Sequence, residues 1–169
     1  MRVLPIAALA AVAFATSASA EVYSSQAPAP EVTVSVGPKL QKLAHDKYGE
    51  RDINELAAEL QRDVQRELGR TGALAGGHVD LVLVDAVPNR PTFKQLSDKP
   101  GLSFLSFGVG GARIEGKAVS ADGVETPIKY SWYETDIRNA PMQTTWSDAN
   151  WTIDRFARRV ARGELLASR

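Results

Sequence analysis

The sequence predicts an α+β fold, in the order β-α-β-β-β-α, with a four-stranded mixed sheet and two helices packed on one of its faces. Three observations carry that prediction. Apolar residues alternate in "EVTVSVG" and run nearly unbroken in "HVDLVLVDA". Between them, Ile53, Leu56, Ala57, Leu60, Val64 and Leu68 recur at spacings of three and four, the stripe of an amphipathic helix. An extended pair joined by Asp122-Gly123 then leads to a second amphipathic stretch near the C-terminus.

The first strand has Val32, Val34 and Val36 on one face, with Thr33 and Ser35 on the other. "KLQKLAHDKYGE" reads as an irregular loop or a turn of helix. Asp52 and Glu55 have capping-box spacing at the start of the long helix. Its outer face pairs Glu59 with Arg62, Asp63 with Arg66 and Glu67 with Arg70, a solvated surface. Gly69 or Gly72 ends it. The strand at 78–86 is central, and strand, helix, strand implies a parallel crossover. The next strand runs extended from Ser103 to about Ser120, with "GVGG" at 108–111 as a bulge or bend. Its partner "VETPIKYSWYE" places Ile128, Tyr130 and Trp132 on one face, and Pro127 puts that strand's start at an edge. Ser147 is the expected N-cap of the last helix, Gly163 its end, and Ala149, Ile153, Phe156, Ala157 and Val160 its buried face. The far sheet face is open or covered by the long loop.

Residues 1–20 read as a secretory signal peptide: Arg2, a short apolar run, then "ASA" before a cleavage point after Ala20. The run is too short to span a bilayer. Residues 21–30, rich in Pro, Ala and Ser, are expected to be a flexible N-terminus, with one domain over 31–165. Cleavage would leave 149 residues with 19 basic against 20 acidic side chains, so no global attraction to nucleic acid is expected. The chain has no cysteine. Disulfides, thiol chemistry and lipidation of a cysteine are therefore excluded, and a periplasmic location is expected.

Little points to catalysis. The glycines of "GVGG" precede a strand, whereas a phosphate loop needs a following helix. His78 and Asp80 share a strand face, but two ligands fall short of a metal site. No Gly-x-Ser-x-Gly elbow is present. No cofactor or metal is expected. Paired carboxylates are the one remaining enzymatic device, with Asp85, Glu134 and Asp136 as candidates for a periplasmic hydrolase.

The segment "PNRPTFKQLSDKPGLSF", 88–104, is long for a connection inside a compact domain. Phe93 and Leu96 are expected to face inward from one helical turn, and "DKPG" fits a type II turn. Asn89, Arg90, Lys94, Asp98 and Lys99 would then point outward as a binding surface, beside a second connector carrying Asp136 and Arg138. On the last helix Trp151 shares a face with Arg155 and Arg158, either as a stacked platform or folded under the connector. The arginine stripe is a solvated face or meets a phosphate-rich surface.

The strings "GVGGARIEGKAVSADGVETP", "YETDIRNA" and "WSDANWTIDRFARRVA" resemble uncharacterised bacterial envelope domains that include many small lipoproteins. Their arrangement is similar to the amino-terminal domain of TolB and related outer-membrane assembly proteins. The resemblance implies a fold and an envelope compartment, and no catalytic residues. The expected function is thus a non-enzymatic binding or envelope-assembly module whose partner is an envelope protein or component. The alternative is the carboxylate hydrolase.

Overall fold

A computed structural model describes residues 28–166. The expected signal peptide and the stretch 21–27 lie outside the described residues. Strand β1 (Glu31–Val36) leads into a short helix α1 (Pro38–Leu43), which continues as a π-helical turn over Ala44–Tyr48. Helix α2 (Glu50–Thr71) and strand β2 (His78–Val87) follow. A one-turn helix α3 (Phe93–Asp98) interrupts the long loop before strands β3 (Gly111–Val119) and β4 (Glu125–Tyr133). A 3-10 helix (Ile137–Met142) precedes the last helix, α4 (Ser147–Ala161). The predicted order therefore holds, with α1, α3 and the 3-10 helix added inside connections.

The four strands lie in sequence order, β1-β2-β3-β4. β1 is parallel to β2, while β2–β3 and β3–β4 are antiparallel, so the sheet is mixed. Pro127 sits on the edge strand β4, where its missing N–H costs no ladder bond. Val32, Val79, Leu81, Leu83, Ile114 and Ile128 form the buried sheet face. α2 packs over β1, α4 packs over β3 and β4, and the two helices pack on each other. Leu60, Val64, Leu68, Ile153, Phe156 and Val160 are fully enclosed between them. Each such side chain contributes about 1.5–3 kcal/mol by leaving water.

The opposite sheet face is open and polar. Thr33 donates to Asp80 at 2.8 Å, Lys117 meets Glu125 at 2.7 Å, and Ser35, Lys129 and Ser131 are exposed. A register shift between Leu83 and Asp85 changes the alternation at the end of β2. Ala86 takes the core position, and Asp85 reaches the Tyr133 hydroxyl, which donates to it at 2.8 Å.

Several local expectations are corrected. α2 begins at Glu50 rather than after Asp52, with Gly49 (φ +100) as N-cap and no side-chain cap. Asp52 lies in the first turn and accepts from the Trp146 indole N–H at 3.1 Å, while Glu55 pairs with Arg51. Its charge still meets the positive end of the helix dipole there. The Asp63–Arg66 and Glu67–Arg70 pairs form, at 2.7 and 2.9 Å. Glu59 is half-buried instead, and burial raises its carboxyl above the usual range. Gly72, at φ +71, is the residue that ends α2. Ser147 is the first helical residue of α4, not its N-cap; its Oγ accepts from the Thr144 N–H at 2.8 Å and so closes the preceding turn.

Candidate functional site

The site is built where β2 ends, β3 begins and α4 starts. Asn89, 1% exposed, leaves β2 and turns inward rather than out. Its Nδ2 donates to the Asp148 carboxylate and to the Gly108 carbonyl, and its Oδ1 accepts from the Asp148 N–H at 3.0 Å. Asn89 thereby caps α4 from 59 residues away. Asp148 also accepts from the Gly110 N–H at 2.9 Å. β3 starts at Gly111 and not at Ser103 as expected, and the backbone just before it is bonded to Asn89 and Asp148. Glycine is required by close approach: a Cβ on Gly110 would lie 2.6 Å from the Val87 carbonyl, and one on Gly111 2.3 Å from that of Trp132.

The Arg90 side chain likewise does not stand free in solvent. Its guanidinium donates to three carbonyls: Gln143 at 2.6 Å, Phe104 at 2.9 Å and Pro141 at 2.5 Å. One side chain thus clips the long loop to the 134–143 connector, the two segments expected to be neighbours. Thr92 and Gln95 close a capping box on α3. The Leu102 N–H reaches the Lys99 carbonyl at 3.3 Å around Gly101 (φ +97), the expected turn.

This ordering turns apolar side chains outward. Phe93 is 75% exposed, against the expectation that it faces in. It meets Phe104 edge to face at 6.1 Å between ring centres. Leu105 is 82% exposed, and Met142, beside the carbonyl held by Arg90, is 91% exposed. Phe93, Phe104, Leu105 and Met142, termed the crown, are exposed on two connectors that Arg90 holds together. Single exposed apolar residues are ordinary, and several on two connectors held together are less so.

The other expected residues lie on or beside α3, on the connector and on α4. Lys94 pairs with Asp98 at 2.9 Å on α3, and Lys99 is exposed at the turn. Arg138 forks onto Asp136 at 2.9 and 3.0 Å through its Nε, and that pair holds the Asp136 carboxyl below the usual range. Trp151, 45% exposed, is neither folded under the connector nor isolated. Arg155 stacks over its ring at 4.4 Å, and Trp132 meets it at 4.4 Å between ring centres. Arg158 pairs with Asp154.

The three carboxylates have separate hydrogen-bond partners. Asp85 meets Tyr133, whose hydroxyl is pushed up by burial and by that carboxylate. Glu134 lines a groove with Trp132 and Trp151. The Asp136 N–H, the Asn139 amide and the Thr135 N–H hold the Glu134 carboxyl below the usual range. Both connector acids are thus kept ionised and are poor proton donors at neutral pH. His78 lies 3.6 Å from Asp80 on the exposed sheet face. Among the described residues no three His, Asp or Glu side chains are placed to hold a metal ion.

Sequence reasoning missed the crown and the Asn89–Asp148 node. Part of the signal for the first was the adjacent apolar pair Phe104-Leu105, which breaks strand alternation in a Pro/Gly-rich segment.

Comparison with known proteins finds no matching family model and no matching curated protein. Among solved structures the chain is similar to a minor lipoprotein from Acinetobacter baumannii, with a TM-score of 0.32, 10% identity, and 80% of this chain and 92% of that one covered. A likeness of that size carries no argument about function. Among the described residues, no helix is long and apolar enough to cross a membrane.

Proposed function

We propose that this chain is a non-enzymatic binding or assembly module of the bacterial cell envelope, exported to the periplasm. It docks a protein partner through the crown on the 88–107 loop and the 134–142 connector. The carrying observation is that Arg90 bonds backbone on both connectors while Leu105 and Met142 stand almost fully in solvent. A surface held in one shape before binding loses less entropy when a partner arrives. The signal-peptide pattern supports export.

The double variant Leu105→Asp/Met142→Asp tests this reading. Both side chains are exposed, so the fold should lose no more than about 0.5 kcal/mol. After mild crosslinking in the producing cells, the parent protein should purify with one stoichiometric protein partner, and the equally folded variant without it. Recovery of the same partner by both proteins would sink the reading.

A further inference from the structure

On the flank made by β4 and α4, two concavities adjoin. The first, about 340 Å³, is lined by Trp132, Glu134, Asn139, Gln143, Ser147 and Trp151. The second, about 440 Å³, is lined by Arg155, Arg158, Arg159, Arg162 and Glu164. The stacked Trp151–Arg155 pair forms the wall between them.

The second concavity is under-neutralised. Arg158 has Asp154, and Arg159 and Arg162 share Glu164, at 2.8 and 3.7 Å. Arg155 enters no ion pair among the described residues and stacks on the Trp151 indole. Four guanidiniums therefore face two carboxylates. Like charges three and four residues apart weaken a helix by a few tenths of a kcal/mol per pair. An anion lying across them would relieve that repulsion, and guanidinium forks match phosphate oxygens. The four span about 10 Å of helix axis.

The first concavity has different chemistry. Two indoles offer flat apolar surface, and two primary amides and a hydroxyl surround them. Among the described residues Glu134 Oε2 accepts only from Asn139, at 2.9 Å, so a lone pair remains for a hydroxyl donor. Its negative charge would turn a phosphate away from this side. An uncharged ring with hydroxyls suits the groove, and a phosphate suits the arginines.

We infer that the β4–α4 flank binds a phosphorylated saccharide, its pyranose in the tryptophan groove and its phosphate on the arginines, with Arg155 at the junction. The site uses none of the four crown side chains, so either surface can fail its test alone.

Calorimetric titration of the full mature chain with three probes decides the matter: inorganic phosphate, N-acetylglucosamine, and N-acetylglucosamine carrying phosphate on its anomeric oxygen. The phosphorylated sugar should bind at least about tenfold more tightly than either part. Arg155→Gln, with an unchanged melting temperature, should lose that advantage. Equal binding of phosphate and sugar phosphate would reduce the site to a simple anion patch and overturn the inference. So would unaltered binding by Arg155→Gln, or no saturable binding of the sugar phosphate.

Discussion

Asn89→Ala should destabilise the protein far more than an ordinary change in a loop. The Asn89 side chain makes three hydrogen bonds, to the Asp148 carboxylate, the Gly108 carbonyl and the Asp148 N–H. Alanine leaves the buried Asp148 N–H without a partner, at about 1–3 kcal/mol, and removes a bond to a buried carboxylate, at about 1.5–3 kcal/mol. The Gly108 carbonyl is half-buried and exchanges its weak 3.3 Å bond for water at little cost. The Asp148 carboxylate keeps the Gly110 N–H, which places the total toward the low end of that range. The expected loss is about 3 kcal/mol, or roughly 6–12 °C in melting temperature for a chain of this size. Urea unfolding followed by circular dichroism reads it as a lowered midpoint with an unchanged slope. Lys99→Ala, which removes an exposed side chain from the same loop, is the control and should cost no more than about 0.5 kcal/mol. A loss below about 1 kcal/mol for Asn89→Ala would show that the node does not tie β2 to α4, and would refute the reasoning.

Other perturbations follow from the same geometry. Arg90→Ala should cost only about 1 kcal/mol globally, because its three carbonyls rehydrate, yet amide hydrogen exchange should speed up across 102–108 and 137–143 while α2 stays protected. Unchanged exchange in both connectors would contradict the clip. Gly116→Ala should cost about 3 kcal/mol or more, since a Cβ there would lie 2.1 Å from the Asp80 carbonyl in the neighbouring strand; a near-neutral unfolding midpoint would show that β2 and β3 can separate. The stability effect of Glu134→Gln should depend on pH. The native Glu134 carboxyl is depressed by the Asp136 N–H first, then by Asn139 and the Thr135 N–H, so its contribution is present above the unfolded pKa and fades as pH falls through the folded one. The difference between parent and variant should therefore be larger at neutral pH than at about pH 3. A difference that grew with acidification would reverse the sign and refute the assignment.

The fold was legible where burial writes a period into the chain. The stripe from Ile53 to Leu68 is enclosed along its length, so spacings of three and four name the helix and its inner face together. β1 and β2 were legible for the same reason, and Pro127 marked an edge because a proline lacks one donor wherever it sits. The site was less legible because its decisive bonds are not local. Asn89 and Asp148 are far apart in sequence, and nothing in either neighbourhood marks the other as its partner. Arg90 looked like one more solvated cation, since carbonyl acceptors leave no trace in a sequence. Phe93 and Leu96 were expected inside because spacing reveals a shared face; Leu96 is half-buried but Phe93 is exposed, since a single turn does not say how deep that face sits. The glycines at 110 and 111 looked like a bend, while their cause is the carbonyls of Val87 and Trp132 pressed against them.

The most direct test of the crown is site-specific photocrosslinking in intact cells. One photoreactive residue replaces Leu105 on the crown, and another replaces Lys129 on the open polar sheet face. The predicted result is a single reproducible protein adduct from position 105 and none from position 129. The same adduct from both positions, or none from either, would contradict the assignment of the crown as the binding surface.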